Sequence, residues 1–117
     1  MIRATLRHYS KPVEDALYLR FIRRFPCVAC GSCRRIEAAH IGPRGRGQKT
    51  SDCLALPLCF ECHQDGAGAL HKVGPELFQL QKNILFADLQ AMFNHWFYLK
   101  TGRYAEGWIE EQERRAA

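Results

Sequence analysis

Two short stretches decide the fold: Cys27-Val28-Ala29-Cys30-Gly31 and Cys59-Phe60-Glu61-Cys62-His63. Each sets two cysteines three positions apart, so that a tight turn can aim both sulfurs at one point. Gly31 helps the backbone fold around that point. Four thiolates satisfy tetrahedral zinc without leaving an open position, so the pattern predicts a structural zinc on Cys27, Cys30, Cys59 and Cys62. The 29-residue step from Cys30 to Cys59 leaves room for a β-hairpin inside the clasp. Cys33 and Cys53 are left over. Cys33 also stands three residues from Cys30 and competes with Cys27 as a ligand; Gly31 favours Cys27, because it completes the knuckle. A secreted disulfide framework would need an export signal, and Met1 to Lys11 lacks an apolar signal core. A redox role for the pairs is disfavoured, since no thioredoxin-like βαβ pattern surrounds them.

Inside the clasp, Ile36 to Ile41 reads as a short strand, and Gly42 to Lys49 as a glycine-rich basic loop. Ser51 to Leu58 carries the second strand, and Phe60 to Asp65 opens a short helix. Upstream, Tyr9 to Phe25 reads as a helix, with Pro12 in its first turn, Ser10 as its cap, and Leu17, Phe21 and either Phe25 or Arg24 on one face. Arg20, Arg23 and Arg24 near its end either complement the helix dipole or contact phosphate. Downstream, Gly74-Pro75 is a break. One or two helices then run to about Thr101, where Gly102 is a natural stop. Leu77, Leu80, Ile84, Leu85, Leu89, Met92, Phe93, Trp96 and Phe97 are assigned to the core, and the tail from Glu110 to solvent. The expected class is α+β: one domain over 1–117, with a hairpin-and-helix zinc core over about 26–78, braced by helices over about 10–25 and 75–101.

The chain carries a formal net charge of +5 and a pI near 9.0, which favours an anionic partner, nucleic acid first. No apolar run approaches the length needed to cross a bilayer, and the expected location is the cytoplasm.

Three of the five histidines, His40, His63 and His71, lie in or beside the clasp, with Asp52 between the first two. Hydrolysis of a phosphodiester requires an activated water, a Lewis acid on the phosphate and stabilisation of developing charge. Histidine supplies the first and a divalent metal the others. His8 and His95 have no motif around them.

The succession CxxCG, then Ala38-Ala39-His40-Ile41, a basic glycine-rich loop, Ser51-Asp52, Leu56-Pro57-Leu58-Cys59-x-x-Cys62-His63 and finally Leu70-His71 resembles the HNH endonuclease superfamily, also called ββα-metal or His-Me finger. It resembles above all compact phage- and prophage-type members with a four-cysteine zinc site. The resemblance covers Cys27 to about Phe78. It implies metal-dependent hydrolysis of DNA phosphodiester bonds, with Mg²⁺ or Mn²⁺ as the working ion. It makes His40 the general base, places Asp52 where the family's central Asn supports the site, and gives His63 and His71 to the divalent metal. Arg44, Arg46 and Lys49 in the basic loop are the expected contacts to backbone phosphates.

The chain departs from that pattern in three places. Ala39 stands where a metal-ligating Asp or His is common. Asp52 replaces the Asn. Gln64 to Leu70, with Gly66 and Gly68, separates histidines that commonly lie one helical turn apart. Glu37 shares a strand face with Ala39 and is a substitute ligand. The alternative is a non-catalytic zinc-finger module that binds nucleic acid, or an accessory to a phage or recombination protein. Ala39 favours that alternative.

Overall fold

A computed structural model describes residues 12–42 and 50–116. Among them, helix α1 (Ala16–Ile22) is followed by strand β1 (Ile36–His40), a 3₁₀ turn (Asp52–Leu54), strand β2 (Ala55–Cys59) and a π-helical turn (Glu61–Asp65). Four further helices follow: α2 (Leu70–Val73), α3 (Pro75–Lys82), α4 (Phe86–Thr101) and α5 (Trp108–Ala116). This is the expected mixed α+β class.

The two strands form one antiparallel pair, with Ile36 opposite Cys59 and His40 opposite Ala55. The Pro57 carbonyl accepts the Val28 N–H at 3.0 Å, so the outer edge of β2 faces the cysteine knuckle. Proline suits that position, because an edge away from the partner strand needs no ladder donor. All five residues of β2 are buried, and α1 and α4 both pack on it. Tyr18, Ile22, Leu56, Leu58, Phe78 and Phe97 are essentially inaccessible to solvent. Each such side chain contributes about 1.5–3 kcal/mol of burial.

Helix α1 is shorter than the sequence predicts and begins after Pro12 rather than at it. Asp15 caps it, its Oδ1 accepting the Tyr18 N–H at 3.1 Å. The residues before the cap are recruited elsewhere. The Val13 N–H donates to Ser51 Oγ, and the Val13 carbonyl accepts the Asp52 N–H. A segment paired to the 51–52 turn cannot also close helical bonds. Ser10 and the start of the expected helix lie outside the described residues. The buried face also differs: Tyr18, Phe21 and Ile22 point inward, while Leu17 is exposed.

The C-terminal stretch divides into α3 and α4 at Asn83, whose left-handed backbone ends α3. Gly102, at φ +86°, ends α4. Leu77, Leu80 and Leu85 are exposed, whereas α4 buries Phe93 and Phe97 together with two amides, Gln90 and Asn94. The tail is a correction as well. Residues 108–116 form α5, seated by buried Trp108 and Glu111, with Arg114 and Arg115 paired to the Glu111 carboxylate. No helix among the described residues is long and apolar enough to cross a membrane.

Candidate metal centre and active site

The clasp closes as its spacing predicts. One ligand atom each from Cys27, Cys30, Cys59 and Cys62 lies within 4.8 Å of all the others, and Cys30 Sγ and Cys59 Sγ stand 3.7 Å apart. With Zn–S bonds of about 2.3 Å, the edge of a sulfur tetrahedron is about 3.8 Å, close to the Cys30–Cys59 separation. The first knuckle is held by Gly31 N–H to the Cys27 carbonyl and Cys27 N–H to the Ser32 carbonyl, both at 2.8 Å, with Gly31 at φ +81°. The Ala29 and Cys62 N–H groups donate to the Cys27 and Cys59 sulfurs at 3.4 Å, bonds that favour thiolates. Burial, and then the neighbouring sulfurs, push the Cys62 thiol far up. Four thiolates so close therefore call for a divalent cation between them. Cys33 and Cys53 take no part in the cluster. Cys53 is wholly buried, and burial pushes its thiol up to about 12.

Two histidine–carboxylate pairs flank β1. At its C-terminal end, His40 Nε2 lies 2.7 Å from Asp52 Oδ1. Asp52 is positioned by the 3₁₀ turn, and its other oxygen accepts the Asp15 N–H at 2.7 Å. An ionised carboxylate only accepts, so a neutral His40 facing one donates from Nε2 and keeps its lone pair on Nδ1. The imidazole is about one-third exposed and lies on the wall of an open cleft of about 690 Å³, shared with Thr50, Asp52 and the segment before α1.

The second pair joins β1 to the π-helical turn. His63 Nδ1 lies 2.7 Å from Glu37 Oε1, which also accepts from Gln64 Nε2 at 2.9 Å. Burial opposes ionisation of Glu37, but the hydrogen bonds from His63 and Gln64, with the nearby charges of His63 and Arg35, outweigh it and hold the carboxyl below its usual range. The turn ends at Gly66, the Lys72 ammonium bonds the Asp65 carbonyl at 2.7 Å, and α2 brings His71 back. The His63 and His71 rings meet edge to face, with centroids 4.4 Å apart. Glu37 thus contacts Nδ1 of His63, the ring nitrogen that faces the strand, and orients the ring.

Residues 37 and 40 are three apart on a strand, so their side chains leave opposite faces. Ala39 shares the Glu37 face and is fully buried. Apart from the four cysteines, the described residues contain no set of three or more candidate ligand atoms within that 4.8 Å limit. His63 and His71 are brought together only as a pair of rings.

Arg44, Arg46, Lys49 and His8 lie outside the described residues. His95 is exposed on α4, and Arg20, Arg23 and Arg24 are on or just after α1, also exposed. Sequence reasoning missed Asp15 and Gln90. An Asp immediately before a helical stretch is a cap signal, which was available. Nothing local marks Gln90, whose partners lie 36 and 49 residues away.

A family model described as a protein of unknown function, DUF968, matches residues 6–73. The chain belongs to that family. The matched stretch contains all four clasp cysteines together with His40, Asp52, His63 and His71, and it ends where α2 ends, so α3, α4 and α5 lie beyond it. No curated protein and no solved structure matches the chain.

Proposed function

We propose that the chain is a zinc-stapled, metal-dependent endonuclease that hydrolyses DNA phosphodiester bonds by an HNH-type mechanism. One observation carries the reading: the 2.7 Å bond from His40 Nε2 to Asp52, which fixes the ring and leaves Nδ1 as a proton acceptor at an open cleft. In this reading His40 Nδ1 takes the proton of the attacking water. Asp52 holds the ring's tautomer and orientation, and stabilises the imidazolium that forms. His63 and His71 would hold a divalent ion, with Glu37 fixing the His63 ring. Such an ion supplies Lewis-acid polarisation of the phosphate and stabilises the leaving oxygen. Zinc in the cysteine clasp is structural, because four thiolates leave no position for substrate. The charge of +5 suits a DNA partner. The cytoplasm is the compartment proposed for it.

The second reading is a zinc-finger module without catalysis, one that binds nucleic acid or serves a phage or recombination protein. Ala39, buried and without a ligand atom, is the observation in its favour. Incubation of the purified protein with supercoiled plasmid in Mg²⁺ or Mn²⁺, with a chelator control, separates the two. Metal-dependent nicking supports the nuclease; binding without cutting in either metal supports the module.

A further inference from the structure

The strand ladder ends at the His40–Ala55 pair. Immediately beyond it, where two strands would splay, the carbonyls of Ile41 and Leu54 are both bonded by one side-chain amide. Gln90 Nε2 on α4 donates to Ile41 O at 2.8 Å and to Leu54 O at 2.9 Å. Ile41 follows His40 directly, and Leu54 closes the 3₁₀ turn that Asp52 opens. One turn along the helix, Asn94 Nδ2 donates to the Cys53 carbonyl at 3.0 Å. Both amides are almost wholly buried, at 2% and 0% exposure. The Gln90 oxygen accepts from Arg115 Nη2 of α5 at 3.2 Å, which fixes which end of the amide faces the carbonyls.

We propose that Gln90, seconded by Asn94 and held by Arg115, is a positioning residue for the His40–Asp52 pair. A primary amide has two hydrogens, and both are used here, one on each of the two segments that carry the pair. The distance between those segments is therefore set by a rigid group of fixed size. An apolar side chain of the same length would fill the space and leave it unset. The His40–Asp52 bond needs that distance, because a shift of a few tenths of an ångström in either segment lengthens a 2.7 Å contact past a strong hydrogen bond. Gln90, Asn94 and Arg115 all lie beyond the family-matched residues, so the C-terminal helices complete a site whose chemical groups come from the matched part. The activity arm of this inference rests on His40 acting as the base.

The test is histidine-tautomer NMR on the intact protein, paired with cleavage kinetics, for wild type, Gln90→Met and Arg115→Ala. In wild type, neutral His40 is expected as a single tautomer protonated on Nε2. In Gln90→Met, with zinc content unchanged, both tautomers are expected, and kcat falls about 10- to 100-fold while KM stays within about twofold. A role confined to stability would lower the unfolding temperature and leave the tautomer alone. Retention of the single tautomer in Gln90→Met overturns the proposal. If that variant fails to fold, Arg115→Ala decides. Partial mixing of the tautomers supports the clamp, and an unchanged ring contradicts it. A wild type that cuts no DNA removes the nuclease reading, while the tautomer comparison still decides the clamp.

Discussion

His40 and Asp52 share a 2.7 Å hydrogen bond although strand pairing does not set them opposite one another. The register partner of His40 is Ala55, and Asp52 reaches back from the turn before β2. Both Asp52 oxygens are committed, one to the His40 ring and the other to the Asp15 N–H. This sets the demand on residue 52: two acceptors at once.

Asp52→Asn cannot meet that demand, since a carboxamide has one acceptor oxygen. The variant must give up the Asp15 N–H or present its own donor to the ring. Cleavage should fall at least about 10²-fold, with zinc content and DNA affinity retained. A rate equal to wild type would show that the His40 ring needs no carboxylate.

The cysteine cluster predicts about one tightly held zinc per chain when metal content is measured after purification without added metal. Cys59→Ser should lose the zinc and unfold the core, because structural zinc supplies on the order of 10 kcal/mol. Cys33→Ser should keep both zinc and fold. Loss of zinc from the Cys33 variant would mean that the ligand set differs from Cys27, Cys30, Cys59 and Cys62.

Asp15 links the site to the C-terminal region. Its buried carboxylate accepts from the Tyr18 N–H, from Arg103 and from the Glu106 N–H. Burial alone would raise its pKa, but these bonds and the Arg103 charge outweigh it and hold the group below the usual carboxylate range. A depressed folded pKa adds stability that is complete above the unfolded value of about 4 and is lost as pH falls through the lower folded value. Asp15→Asn should destabilise the protein by about 1–3 kcal/mol at neutral pH. Urea titrations should show the gap narrowing below about pH 4. A gap that is constant down to acid pH would deny the ion pair its role.

Much of this was legible in sequence, for physical reasons. The clasp follows from spacing, because chelation is local to each CxxC turn. The hairpin follows from the apolar run at Leu56 to Leu58 and from the strand-like Ile36 to Ile41. The start of α1 was not legible, since Val13 and Asp15 pair with Ser51 and Asp52 across 37 to 39 positions. Helical periodicity misled at Leu17 and Leu80, which share the pattern of core residues but face outward. Gln90 reads as a solvated position by type, and only its tertiary bonds to the Ile41 and Leu54 carbonyls reveal why it is buried.

In the proposed mechanism Glu37 orients the His63 ring and His63 holds the metal. Glu37→Gln should weaken Mn²⁺ affinity about 10- to 100-fold, with activity recovered at higher metal concentration. His63→Ala should shift the metal dependence further before activity is lost. If metal dependence is unchanged in both, the divalent ion binds elsewhere.

The central claim is that His40 is the base, and plasmid cleavage by His40→Ala in Mg²⁺ or Mn²⁺ tests it most directly. The expected rate is about 10²- to 10⁴-fold below wild type and is not restored by added metal, in a protein that keeps its zinc, its fold and its affinity for DNA. A His40→Ala protein that cuts at the wild-type rate would contradict it.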